Sequence, residues 1–120
     1  MLVKEVIEMS DQLTENKIPF EIKLKWLADF EQKVYNEIYK THEDCPEEFA
    51  IPSDEEDELL IDAPYDEVYV KYLRMRIDEA NNDSARFVNA RIIYNEAYNE
   101  FSAYYNRNHM PKQRATLRFY

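Results

Sequence analysis

The chain has 120 residues and no glycine. Average usage is about 7%, so roughly eight would be expected. A P-loop, a dinucleotide-binding turn, a nucleophile elbow and an EF-hand loop all place glycine where the backbone comes close or φ turns positive. None of them can be written with this sequence. Multi-stranded β folds lean on glycine in hairpin turns and bulges, so they are disfavoured too. An all-α fold is what remains.

Hydrophobic periodicity divides the chain into about four helices. Residues 2–15 place Leu2, Val3, Val6, Ile7, Met9 and Leu13 near helical spacing. Asn16-Lys17 and Pro19 end that segment, because proline keeps Ile18 out of the helical region. A second helix is expected from Phe20 to His42, with a stripe of Leu24, Leu27, Phe30 or Glu31, Val34 and Ile38. A third is expected from Pro64, a residue suited to a first helical turn. Tyr65, Tyr69 and Tyr72 share one of its faces. Asn81-Asn82 should stop it, since Asn tolerates the left-handed conformation. Asp83 or Ser84 can cap a fourth helix running to about Asn106. Its stripe is Phe87, Ala90, Tyr94, Ala97 or Tyr98, Phe101 and Tyr105.

Charge marks the remaining pieces. The net charge is −10, but twelve acids and no Lys or Arg lie between Glu43 and Glu67. Elsewhere thirteen acids meet fifteen bases. Residues 43–63, with the run Asp54, Glu55, Glu56, Asp57 and Glu58, read as a long acidic loop. Apolar residues 49–51 and 59–61 would pin it at two points. From Arg107 onward there are four bases and no acid. The expected organisation is one helical domain over residues 1–111 and a basic C-terminal arm over 112–120.

Chemistry is poorly supplied. His42, Glu43, Asp44 and Cys45 are four ligand types in a row, but consecutive residues cannot all face one ion. The carboxylate run lacks the glycine and the alternating ligands of a calcium loop. The serines and Cys45 form no recognisable nucleophile set. No enzyme activity, metal or cofactor is therefore expected. Four cations on an acidic chain make a poor independent DNA binder, because affinity for phosphates grows with the number of charges engaged. One cysteine allows no intrachain disulfide, and no apolar stretch approaches a membrane span. Residues 1–12 lack the layout of a signal peptide, so a cytoplasmic site of synthesis is expected. Ten tyrosines offer rings that pack and hydroxyls that stay wet, a composition suited to contact surfaces.

Three strings carry a resemblance. They are Glu58-Leu59-Leu60-Ile61-Asp62-Ala63-Pro64-Tyr65-Asp66, Tyr94-Asn95-Glu96-Ala97-Tyr98, and Tyr104-Tyr105-Asn106-Arg107-Asn108-His109-Met110-Pro111. Over residues 58–112, and more loosely over 20–42, the chain resembles the head–tail connector (adaptor) proteins of tailed phages and prophages of Gram-positive bacteria. That resemblance implies a structural virion protein at the head–tail interface. Such proteins bind beneath the portal as a ring, often of about twelve copies, whose head-to-tail contacts close. They extend the DNA channel and receive the next neck or tail-completion protein. On this reading Tyr65, Tyr69, Tyr72, Tyr94, Tyr98, Phe101 and Tyr105 serve packing and subunit contact. Lys112, Arg114, Leu117, Arg118, Phe119 and Tyr120 dock the arm on the portal or a neighbour. The acidic loop either lines the channel, where it repels passing DNA, or meets a partner. Rival readings are an acidic regulator or DNA mimic that sequesters a basic protein, and another tail-completion or capsid-accessory part.

Overall fold

The computed structural model describes residues 1–42 and 49–109. It is all-α, as the sequence leads one to expect. The helices are α1, Val3–Leu13; α2, Phe20–Val34; α3, Glu67–Ala80; and α4, Ser84–Asn108. α3 is the central element and packs against the other three. With 25 residues, α4 is about 37 Å long.

α1 turns Val3, Val6, Ile7 and Ser10 inward. Met9 and Leu13, expected in the same stripe, point away, and Leu13 is 63% exposed. They sit roughly a third of a turn from the buried row. Ser10 takes the core position instead and donates its hydroxyl to the Val6 carbonyl at 2.8 Å. Lys23, buried on α2, reaches back to the Asp11 carboxylate and ties the first two helices.

The start of α1 is closed by the acidic loop. An α-helix leaves its first four N–H groups without intrahelical partners. Val3 N–H donates to the Asp57 carbonyl and Lys4 N–H to the Glu55 carbonyl, both at 2.9 Å. Glu5 folds back to accept from the Leu2 N–H at 2.9 Å. The loop carboxylates therefore gather at the positive end of the α1 dipole, where negative charge is favoured. Asp57 also accepts from the backbone N–H groups of Ser53 and Asp54, and Lys4 pairs with Glu56 at 2.8 Å. Farther along, Leu59 and Ile61 are buried, and Phe49 stacks on Tyr35 at 4.6 Å. Ile51, expected among the pinning residues, is exposed. Phe49, Leu59 and Ile61 hold this stretch down.

The expected second helix to His42 changes character before its end. α2 gives way to a π turn, Tyr35–Tyr39, closed by Lys40 N–H to the Tyr35 carbonyl at 2.8 Å. The wider turn brings residues five apart onto one side. Val34, Ile38 and Tyr39 can thus all be buried.

α3 begins at Glu67 and not at Pro64. The Ala63–Pro64 bond is cis, and a turn precedes the helix, with Tyr65 N–H on the Asp62 carbonyl at 3.0 Å. At the other end Asn82 has φ of 59°, so asparagine stands in the left-handed position where glycine is usual. Asp83 caps α4 by accepting from Arg86 N–H at 3.1 Å. Asp83→Ala should lower stability by about 1 kcal/mol. Urea unfolding checks this, and an unchanged midpoint would show that the cap is dispensable.

Candidate interaction surface

Among the described residues the aromatic rings pair in two main groups, one around Phe30 and one around Phe101 and Tyr105. Phe30 of α2 is the centre of the first group: it stacks on Tyr72 at 4.6 Å and meets Tyr69, Tyr94 and Tyr98 edge-on at 5.6, 5.9 and 6.1 Å. Such offset and edge-to-face pairs suit the ring quadrupole. The sequence stripe contains Phe30 without singling it out, because periodicity gives a face and not the centre of a cluster.

The predicted tyrosines separate by burial. Tyr69, Tyr94, Phe101 and Tyr105 are buried within one copy, so their role in it is packing. Tyr65, Tyr72 and Tyr98 are half-buried, and Tyr104 is 36% exposed. These four are the members with surface left for a neighbour. Burial raises the hydroxyls of Tyr39, Tyr69, Tyr94 and Tyr98 above the ordinary tyrosine value, so they remain neutral O–H groups.

A carboxylate organises the inner edge of the cluster. Glu31 is 1% exposed. Its Oε1 accepts from the Tyr69 hydroxyl, and its Oε2 accepts from Leu60 N–H at 2.9 Å. The Tyr69 hydroxyl oxygen in turn accepts from Ile61 N–H at 2.9 Å. Desolvation pushes the Glu31 carboxyl above its usual range, and the hydrogen bonds from Tyr69 and Leu60 partly offset it. This network fixes residues 60–61, the approach to the turn at 62–65.

That turn forms one wall of a cleft of about 300 Å³. Asp62 and Tyr65 come from the turn, Phe101, Tyr104 and Tyr105 from the last turns of α4, and His109 from just past its end. Tyr65 and Tyr104 stack at 4.5 Å. Tyr105 stacks on His109 at 3.7 Å, and His42 meets its edge at 4.8 Å. His42 is buried, and its Nε2 is hydrogen-bonded to the Asn106 side-chain amide at 2.8 Å. Parts of the first and last resembling strings, residues 62–65 and 104–109, thus meet at one surface.

The acidic run does not join this cleft. Asp54, Glu55, Glu56 and Glu58 are exposed beside α1. Lys112, Arg114, Leu117, Arg118, Phe119 and Tyr120 lie outside the described residues, as does Cys45. Among the described residues, no three His, Cys, Asp or Glu side chains gather as a metal site, and no helix is long and apolar enough to cross a membrane. Comparison of the chain with family models, curated proteins and solved structures gives no match.

Proposed function

We propose that the protein is a head–tail connector that assembles as a ring under a phage portal and receives the next neck or tail-completion protein. The observation that carries this reading is the cleft in which parts of the first and last resembling strings meet. Separated strings that converge on one surface fit a contact site better than a core requirement. The half-exposed Tyr65, Tyr72, Tyr98 and Tyr104 supply rings of the kind enriched at protein interfaces. The exposed carboxylates of residues 54–58 would repel packaged DNA if that side faced the channel.

The DNA-mimic reading needs an ordered array of free carboxylates. Here Asp57 serves its own turn and Glu56 is paired with Lys4. Nothing specific therefore favours the mimic.

Mixing the purified protein with the portal of the same phage genome should give rings stacked on the portal, visible by electron microscopy. Removing residues 112–120 should weaken incorporation into particles. A protein that never joins the portal under any assembly condition ends the connector reading. Unchanged incorporation of the shortened chain ends the arm's part in it.

A further inference from the structure

The cleft between the 62–65 turn and the end of α4 has a chemistry of its own. Among the described residues its walls are mostly aromatic, with one carboxylate and neither Lys nor Arg. Among the described residues the Asp62 carboxylate takes part in no ion pair or hydrogen bond, and neither do the Tyr65 and Tyr104 hydroxyls. Aromatic faces attract cations through the ring quadrupole, most strongly when water is excluded. The chain already uses this contact elsewhere. Arg76 lies over Trp26 at 4.9 Å, and Lys33 over Tyr98 at 5.1 Å.

An unpaired carboxylate among ring faces suits a guanidinium better than an ammonium. The guanidinium is planar, stacks on rings and presents a fork to a carboxylate. The chain carries a matching segment. Residues 110–120 include Lys112, Arg114 and Arg118, hold no acid, and interleave Leu117, Phe119 and Tyr120.

We propose that the cleft binds an arginine of segment 110–120 from a neighbouring copy, with the guanidinium against the Tyr65 and Tyr104 rings and paired to Asp62. The choice of a neighbouring copy rests on the ring reading above. A ring closes through heterologous contacts, which need two different patches on each subunit. The cleft and the basic segment are two such patches.

The test uses the full chain with a photoreactive benzoyl-phenylalanine in place of Phe119. Light and heavy isotope-labelled copies are mixed at the highest soluble concentration, irradiated and mapped by mass spectrometry. The expected result is cross-links from position 119 to residues 60–65 or 101–109, in mixed light–heavy pairs. Cross-links elsewhere overturn the proposal. So do cross-links confined to one chain, or a protein that stays monomeric throughout. Asp62→Asn should cut the cross-link yield about tenfold, while Glu21→Gln, an exposed acid outside the cleft, should leave it unchanged. Equal loss in both variants would reduce the contact to general charge attraction and overturn the pairing. Portal binding is measured separately on the same samples. Rings that form without these cross-links keep the connector reading and remove this contact. Cross-links without any portal binding do the reverse.

Discussion

Glu31→Ala is expected to destabilise the fold by about 3–5 kcal/mol. The deletion strands two buried donors, the Tyr69 hydroxyl and Leu60 N–H. It also leaves a void where the side chain was. Each stranded buried group costs about 1–3 kcal/mol. Domains of this size have only about 5–15 kcal/mol in total. Urea unfolding followed by circular dichroism measures the loss. The consequence reaches the surface, because the same network holds residues 60–61 and through them the cleft wall at Asp62 and Tyr65. Glu31→Gln separates the carboxylate's charge from its shape. The amide can still accept from Leu60 N–H and offer its own N–H to the Tyr69 oxygen.

The pH dependence has a definite sign. Burial raises the folded pKa of Glu31 above its ordinary value of 4.5. As pH rises, the unfolded chain therefore releases this proton before the folded chain does. Stability falls with pH between the ordinary value and the raised one, and levels off above it. The Glu31 contribution is thus greatest in acid and smaller at neutrality. Glu31→Gln removes that slope, so its stability relative to the parent should improve from about pH 4 to about pH 7. A difference that does not change with pH would falsify the account of Glu31 as a desolvated acid.

Much of the helix layout is legible because caps and breakers are local. Asn82 in the left-handed position and Asp83 as an N-cap follow from the conformational habits of those residue types, and Pro19 stands immediately before α2. The π turn is different. It arises where Val34, Ile38 and Tyr39 all find core partners, which is a tertiary demand that the 3.6-residue period does not encode. Pro64 misleads for a related reason. The 62–65 turn uses the backbone groups that a first helical turn would have occupied.

The choice between Phe30 and Glu31 in the α2 stripe is resolved as both. α2 packs against α1 and α3, so neighbouring positions on it can each face protein. Phe30 enters the aromatic cluster while Glu31 meets Tyr69 and the 60–61 backbone. The acidic loop shows the limit of reading side chains alone. Its bonds to the Val3 and Lys4 N–H groups come from backbone carbonyls, and any residue type supplies those. The cleft is partly legible. Its tyrosines are conspicuous in the sequence, but its carboxylate, Asp62, looks like one acid among twelve until the turn sets it beside α4.

Phe30→Ala should cost about 3–5 kcal/mol, comparable to the loss of Glu31 but by another route. Phe30 is almost fully buried, and its ring touches four others. Its removal opens a cavity that those rings cannot all collapse into. Tyr72 and Tyr94, which also meet each other at 5.5 Å, would lose their common partner. Phe30→Leu keeps most of the volume and the apolar surface but not the quadrupole. It should cost about 1–2 kcal/mol, close to the upper end for swaps that roughly conserve volume. The difference between the two variants separates filling from ring geometry. Near-ultraviolet circular dichroism of the folded leucine variant should show a weakened aromatic signal, since the tyrosines lose a fixed ring beside them. If Phe30→Leu proves as costly as Phe30→Ala, ring-on-ring geometry and not volume holds α2 against α3 and α4. If both prove cheap, the cluster is not the keystone of this fold, and the half-exposed tyrosines at its edge would not depend on it for their orientation.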